Sequence, residues 1–413
     1  MVPDTNDDIV NSLEAVRRAR TAWEDRIRAI TSDPYEEFLK RVRRDVPFYR
    51  DVDPADELPL AGRADHQADG ARFRPHGAPA PDYTLSSSGT TGKPLEVTLD
   101  DAAWYAVNYH FFAQVREHAR LPADIFRHGR PAVLFVSNKP GRPSFVRPLP
   151  SLDNGLYLRL QLPEPVDAVL PLLRKFAAPV LYGKPTYLLD LRAALLGQGL
   201  RRAPWQPRLL LVSGEPLYAD DRQRLTDYFD APVVDALAST EGGLIAATEP
   251  NGETYRVFGD NVRLEVLDEH GRTADSGTGE LVLTNLVNHS TVFARYRTGD
   301  RAELLTAEDG TQRLQRLWGR EPRTVRFRTR ELPADDVVRA VGFLPGLADF
   351  QFARRSDGST LLRWAAEPAR TTPAALVAAL GRSLSRLLPD EDIAREQCVR
   401  ITPPGGKKRR FDL

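Results

Sequence analysis

The chain reads as α/β, with a large N-terminal domain of mainly parallel sheets plus a β-rich subdomain, and a small α+β C-terminal domain. Three observations predict this. At 413 residues the chain is long for a single hydrophobic core. Between 132 and 237, short apolar runs alternate with helical stretches, the pattern of a parallel sheet with helical crossovers. From 255 to 317 the pattern changes to strands separated by Gly, Asp and Asn turns, and beyond Gly319 it becomes a compact mixture of helix and strand.

The elements follow in order. Residues 8 to 50 read as helical, with Leu13, Val16, Trp23, Ile27 and Ile30 at helical spacing, until Pro47-Phe48-Tyr49 stops the pattern. A connection rich in Pro, Asp and Gly spans 51 to 82. Residues 95 to 99 alternate like a strand leaving a turn. The stretch 101 to 119 reads as a helix whose Trp104, Tyr105, Tyr109, Phe111 and Phe112 suit a core better than a pocket. Strands are expected at 132–136, 180–182, 209–212 and 233–237, interleaved with helices at 166–177, 186–200 and 218–229. The β-rich subdomain is expected to hold strands at 262–266, 279–284, 292–296 and 302–305, arranged as a distorted barrel. A helix at 373–388 and a strand at 396–402 complete the chain. The boundary expected near 319 divides it into 1–318 and 319–413.

Composition narrows the function classes. Hydrophobic residues make up 41% and charged residues 28%, ordinary for a globular protein, and the formal net charge is zero. Nothing global therefore argues for nucleic acid or an anionic membrane as partner. Only seven of the 57 basic residues are Lys, a bias that makes each lysine informative. The single cysteine, Cys398, excludes an internal disulfide and a Cys-cluster metal site, and reads as a partly buried thiol. The acidic start lacks an apolar signal core and no run of 18 apolar residues exists, so a cytoplasmic chain is expected.

The sharpest chemical signal is Ser86-Ser87-Ser88-Gly89-Thr90-Thr91-Gly92-Lys93-Pro94. Hydroxyl donors, glycines that let backbone N–H groups converge and one cation all suit phosphate. A Walker A loop would need Gly with four residues between it and the Gly-Lys pair, and Ser or Thr after that pair; Ser87 and Pro94 stand there. The stretch resembles the phosphate loop of the acyl-adenylate-forming superfamily. Further segments resemble that family in its order: Ser213-Gly214-Glu215-Pro216-Leu217, Ser239-Thr240-Glu241, Tyr296-Arg297-Thr298-Gly299-Asp300, Trp318-Gly319-Arg320 and Gly406-Lys407-Lys408-Arg409-Arg410. The stretch 35 to 51, with Val46-Pro47-Phe48-Tyr49-Arg50, resembles the phenylacetate–CoA ligase branch.

The resemblance implies ATP, Mg²⁺ and, for the second step, CoA. It implies that Ser87 to Lys93 cradle phosphates, that Gly214, Glu215 and Pro216 lie along adenine, and that Asp235 and Ala236 help to line the nucleotide. Thr240 would meet phosphate, Glu241 the metal and Asp300 the ribose hydroxyls. Arg320 would open a mobile C-terminal domain whose Lys407 reaches the carboxylate and α-phosphate. Thr240, Glu241 and Lys407 are the expected catalytic residues. The chemistry agrees: attack of a carboxylate on an α-phosphate brings anions together, so cations and oriented donors are needed. Each segment also has a structural alternative. These are Asp300 as the cap of a strand in its Gly-Asp turn, Glu215 as a carboxylate at the N-terminus of the 218–229 helix, and Lys407 to Arg410 as a solvated tail.

Two departures bear on function. Leu237-Ala238 stand where the family has an aromatic-Gly pair, removing an adenine-stacking face. After Arg320 come Glu321, Pro322 and Arg323, where Pro stiffens a hinge. Arg323, Arg326, Arg328 and Arg330 would suit the phosphates of CoA or an acidic carrier protein. The expectation is thus activation of a small, aromatic carboxylic acid as its acyl-AMP, with Trp104, Tyr109, Tyr182 and Tyr187 available to a planar slot. Transfer to CoA or a carrier thiol follows, by a monomer or homodimer. The alternatives are an amine or other non-thiol acceptor, or a silent nucleotide-binding homologue.

Overall fold

The computed structural model describes residues 13–29, 33–53, 55–78, 83–87, 94–138, 143–149, 152–162, 166–320, 324–367, 372–401 and 410–413. Two compact units emerge: residues 1–128, 149–155 and 234–319 form the first, and 129–148, 156–233 and 320–413 the second.

The expected N-terminal helical stretch divides into α1 (Leu13–Ala29) and α2 (Pro34–Asp45). The second helix starts there because Asp33 accepts the Tyr35 N–H, Pro34 occupies the first turn, and Glu36 and Glu37 face the positive end of the dipole. The Val46-Pro47-Phe48-Tyr49 segment that follows packs rather than reacts. Tyr49 is fully buried and donates its hydroxyl to Ala294 O at 2.8 Å, while Phe48 stacks on Phe73 at 4.4 Å. Next come α3 (Arg63–Ala68) and the hairpin β1 (Tyr83–Ser87) with β2 (Leu95–Leu99). The aromatic helix is α4 (Asp101–Tyr105), a π turn at Ala106–His110 and α5 (Phe111–His118). Its Trp104, Tyr105, Tyr109, Phe111 and Phe112 are all buried.

In the second unit β3 (Pro131–Ser137), β4 (Phe145–Leu149), β5 (Gly155–Gln161), β6 (Val180–Gly183) and β7 (Leu209–Ser213) run in the order β7-β6-β3-β5-β4. The pairs β3/β5, β3/β6 and β6/β7 are parallel. α6 (Val166–Phe176), α7 (Pro185–Gly197) and α8 (Ala219–Phe229) supply the crossovers. Alternate strand residues such as Leu134, Val136, Leu158, Leu160, Leu181 and Leu210 form one core with Leu173, Leu188, Leu191 and Leu225 from these helices.

The first unit is antiparallel where the second is parallel. It contains β8 (Val233–Ser239), β9 (Gly243–Thr248), β10 (Tyr255–Val257), β11 (Val262–Leu267), β12 (Thr273–Ala274), β13 (Gly277–Asn285), β14 (Tyr296–Thr306) and β15 (Gln312–Gly319). Their order is β12-β11-β13-β14-β15-β10-β9-β8. This is an open run ending at β12, which corrects the expected barrel. Residues 292–295 do not form the expected strand, because Arg295 takes a left-handed φ of 46° and Val292 donates its N–H to Phe73 O instead.

Within the second unit, the remainder of the chain adds β16 (Thr324–Arg326), β17 (Glu331–Pro333), α9 (Ala334–Gly342), β18 (Leu347–Arg354), β19 (Thr360–Ala366), α10 (Pro373–Leu387), β20 (Ile393–Gln397) and β21 (Phe411–Asp412). A four-stranded sheet, β20-β19-β18-β21, carries both helices, with Val337, Val341, Leu376, Leu380 and Leu384 buried. The strand expected at 396–402 lies earlier, at 393–397. No helix among the described residues is long and apolar enough to cross a membrane.

Candidate active site

The motif residues divide between the two units. In the second, the parallel neighbours β6 and β7 end at Gly183 and Ser213, and ligands of open α/β sheets bind at such carboxyl edges. The chain leaves β7 through Gly214, whose φ of +87° a side chain would strain, and then reaches Glu215 and Pro216. The Glu215 carboxylate accepts the backbone N–H of Thr186 at the start of α7. That helix has Lys184 at its N-cap with no side-chain cap of its own, so Glu215 caps it from another segment. The structural alternative for Glu215, a carboxylate at a helix N-terminus, is thus met at α7.

Two hydroxyls complete this edge. Ser213 Oγ and Thr186 Oγ1 are buried, and neither has a hydrogen-bond partner among the described residues. Buried hydroxyls are normally satisfied, so an unsatisfied pair at a carboxyl edge fits a site for a polar ligand. Lys184 lies beside them, with its side chain 3.9 Å from where a Cβ on Gly214 would stand and its Nζ 5.0 Å from the Tyr187 ring. Sequence reasoning passed over this residue. The scarcity of lysine was the signal that could have found it.

In the first unit, Thr240 and Glu241 form the tip of the β8–β9 turn, closed by the Ser239–Gly243 pair. The backbone here is pinned: Gly242 N–H donates to Ser239 Oγ at 2.9 Å, and Asn285 Nδ2 donates to Glu241 O at 2.7 Å. A Cβ on Gly242 would fall 2.8 Å from Ile245 and Leu283, so a larger residue there would have to displace those side chains. The Thr240 and Glu241 side chains are half-buried and make no hydrogen bond or ion pair among the described residues. A rigid backbone presenting an uncommitted hydroxyl and carboxylate is preorganised for a ligand.

No cluster of three potential metal ligands exists among the described residues. Glu241 alone could serve a hard divalent ion only with oxygen ligands supplied from elsewhere. Asp235 and Ala236 lie on β8. Asp235 is buried, and its carboxylate accepts the Tyr255 hydroxyl at 2.5 Å. Leu237-Ala238 coincide with a register shift between β8 and β9.

Asp300 stands on β14, its N–H donating to Thr298 Oγ1 at 3.1 Å. The adjoining residue Arg301 pairs with Gly319 of β15, where φ is +62°. The positive φ favours glycine at 319, and a Cβ there would stand at ordinary contact distance, 3.9 Å, from the Asp300 carboxylate. Arg320 follows directly. Ser87 ends β1 opposite Leu95, whereas Ser88, Gly89, Thr90, Thr91, Gly92, Lys93, Pro322 and Lys407 lie outside the described residues. Of the arginines that follow Arg320, Arg326 pairs with Glu331 across β16 and β17, and Arg330 donates to Leu387 O at the end of α10. Among the aromatics offered to a substrate slot, Tyr182 is buried 5.0 Å from Phe135, and Tyr187 belongs to the core under α7.

No protein-family model matches this chain, and no curated protein matches it in sequence. Solved structures do. A 2-hydroxyisobutyryl-CoA ligase in the postadenylation state, in complex with R3-HIB-AMP, aligns with a TM-score of 0.68 at 17% identity, covering 92% of this chain and 88% of that one. The same ligase with 2-HIB-AMP and CoA in the thioesterification state gives 0.53 at 20% identity, covering 91% and 88%. An anthranilate CoA ligase in complex with anthranoyl-AMP gives 0.53 at 15%, covering 79% and 64%. The chain thus has the fold of the adenylate-forming CoA ligases. Its antiparallel and parallel strand runs and the separate C-terminal sheet are the parts of that fold.

Proposed function

We propose that this protein activates a small carboxylic acid with ATP and transfers the acyl group to a thiol. The observation that carries the reading is the β8–β9 turn: an uncommitted Thr240 hydroxyl and Glu241 carboxylate on a pinned backbone, within a chain of adenylate-forming fold. In the first step a carboxylate oxygen attacks the α-phosphorus, and the bond to pyrophosphate breaks. Lys93 and the loop amides hold the outgoing phosphates, Thr240 orients the α-phosphate, and Lys407 offsets charge on the carboxylate and phosphate. Mg²⁺ held by Glu241 would neutralise phosphate charge. Glu215 and the Ser213 and Thr186 hydroxyls face the base, and Asp300 takes the ribose hydroxyls as a two-oxygen acceptor. In the second step a thiolate attacks the acyl carbon and AMP leaves.

The chain is read as a catalytic domain of residues 1–318 and a C-terminal domain of 319–413 that delivers Lys407. Known ligases of this fold bind an anthranoyl-AMP in one case and a hydroxyisobutyryl-AMP in another, so both aromatic and short branched acids belong in the test. We infer a small aromatic acid from the resemblance of the 35 to 51 stretch to aryl-acid ligases. Carboxylate-dependent exchange of pyrophosphate into ATP, run over aromatic and aliphatic acids, tests the activity. A preference for longer aliphatic acids would refute the aromatic assignment. Lys407→Ala is expected to lower exchange about 10²-fold or more, the scale of losing one electrostatic stabiliser. Near wild-type exchange in the folded variant would remove Lys407 from the mechanism.

A further inference from the structure

Outside the motifs, the richest chemistry lies on the face of the parallel sheet that turns away from its core. Strand residues alternate between faces. Leu134 and Val136 of β3 and Leu158 and Leu160 of β5 enter the core, which leaves Phe135, Ser137, Tyr157, Arg159 and Gln161 on the other face. β4, next to β5 at the edge of the sheet, adds Phe145 and Arg147. Three rings form a row, with Tyr157 6.0 Å from Phe135 and 6.1 Å from Phe145. Two guanidiniums pack against it. Arg147 stands 5.3 Å from the Tyr157 ring centre and 5.8 Å from that of Phe145. Arg159 stands 5.8 Å from the Phe135 ring centre and 6.0 Å from that of Phe145.

Two like charges over one row of rings repel, and a buried charge is normally paired. Arg147 is half-buried and makes no hydrogen bond or ion pair among the described residues, and its Nε is shielded from solvent with no acceptor. Arg159 is 4% exposed and donates from Nη2 to Ser137 Oγ, a neutral acceptor, at 3.3 Å. A ring face attracts the cation but takes none of the N–H bonds that lie in the guanidinium plane. Gln161 gives its Nε2 to Leu162 O, and its buried Oε1 has no partner among the described residues.

The sheet register places this face against the edge already described. Ser137 ends β3 opposite Gln161, and Val136, one residue earlier, stands opposite Gly183. The Arg159 fork therefore reaches the same carboxyl edge as Lys184 and Ser213, where open α/β sheets bind their ligands. At the other side Phe145 and Arg147 are half-buried beside the exposed Val146, so a ligand can enter along β4. Planar forks match a carboxylate or a similar oxyanion, and a row of rings matches a flat apolar body. An oxyanion held by such charge-assisted bonds is a poor nucleophile, so the group bound here is distinct from the carboxylate that attacks phosphorus.

We propose that this face is a subsite for an acid whose planar ring carries a second anionic group, bound by Arg147 and Arg159. Naming the ligand as the acid rests on the adenylating reading; the preference for a second anion does not.

Calorimetry on the full chain tests this with benzoate, the three benzenedicarboxylates and their monoamides, which keep the shape and lose one charge. At least one dicarboxylate is expected to bind tenfold or more tighter than its monoamide and than benzoate. Arg147→Gln should cut that preference at least fivefold. Arg147→Lys keeps the charge but not the fork and should cut it less, and ATP affinity should stay within twofold of wild type in both. Arg159→Gln should act as Arg147→Gln does; if that buried position fails to fold, the Arg147 variants decide alone. Dicarboxylates bound no tighter than their monoamides, or a preference unchanged in folded Arg147→Gln, would overturn the subsite. Pyrophosphate exchange separates this from the parent reading. Exchange with benzoate but no preference for a dicarboxylate overturns the subsite and leaves adenylation standing. A dicarboxylate preference that depends on Arg147, in a wild-type protein that exchanges with no acid, overturns adenylation and leaves the anion site standing.

Discussion

The two units bury polar groups in opposite ways. The first relies mainly on neutral groups. His66 is stacked between Phe73 and Phe293, and Asn261, Asn285, Asn288 and Gln312 hydrogen-bond to backbone carbonyls. Arg295 and Asp235 are its charged exceptions. The second unit buries ion pairs that join distant segments: Arg192 with Glu367, and Arg410 and Arg224 with Asp220 and Asp221. The amide-to-carbonyl bonds also reach across the chain, Asn288 donating to Thr98 O, but they bury no charge. Buried ion pairs tie segments nearly 200 residues apart and fail as a unit when one partner is removed. The first style suits a scaffold, and the second suits a contact that has two states.

The largest effect should come from breaking an ion pair. Glu367→Gln leaves Arg192, 3% exposed, without its anion. Removing one partner of such a pair costs about 3–5 kcal/mol. Urea unfolding should show that loss, and a change below about 1 kcal/mol would mean that solvent reaches the pair.

Acid should act on the first unit. Burial lowers the His66 pKa from 6.5 to about 4, and His110 and His289 are lowered for the same reason. Because the folded state resists protonation that the unfolded state accepts, stability is full above pH 6.5 and falls as pH drops toward 4. For His66 alone the loss approaches ~3 kcal/mol. His66→Phe should flatten the stability profile between pH 6.5 and 4, and identical profiles for the two proteins would exclude His66 as the source.

These contrasts bear on what the sequence could reveal. Strands β3, β6, β7 and β8 and helices α7, α8 and α10 were legible because apolar runs and helical periodicity carry them. β5 was not: Arg159 and Gln161 interrupt its apolar pattern, yet both are buried, Arg159 with its guanidinium 5.8 Å from the Phe135 ring. The 292–295 stretch misled in the other direction, its apolar residues packing without a ladder. Among the candidate site residues, Thr240, Glu241 and Asp300 are carried by motifs, whereas the Lys184 edge and the Arg410 cluster needed the fold. Ion pairs across such sequence distances leave no local signature.

A smaller effect is expected at the nucleotide. Asp300→Ala removes both carboxylate oxygens, and each charge-assisted hydrogen bond is worth about 1.5–3 kcal/mol. Calorimetry should show ATP binding weakened by roughly that amount for each ribose hydroxyl lost. Unchanged affinity would assign Asp300 to shaping the 298–300 turn through its bond to Thr298.

The smallest change in stability should fall at the residue with most to lose in activity. Among the described residues the Glu241 side chain makes no hydrogen bond or ion pair, and the turn is kept by Ser239, Asn285 and Gly242 through backbone groups. Glu241→Gln preserves size and hydrogen-bonding capacity but removes the charge. Its stability should stay within about 0.5 kcal/mol of wild type, the range of substitutions away from structural contacts. Pyrophosphate exchange should nevertheless fall steeply, and high Mg²⁺ should restore part of it if the lost charge held the ion. A variant that is destabilised by several kcal/mol would place Glu241 with the ion pairs of the second unit, as a residue of the fold. One that is stable and fully active would leave the β8–β9 turn without a ligand to serve.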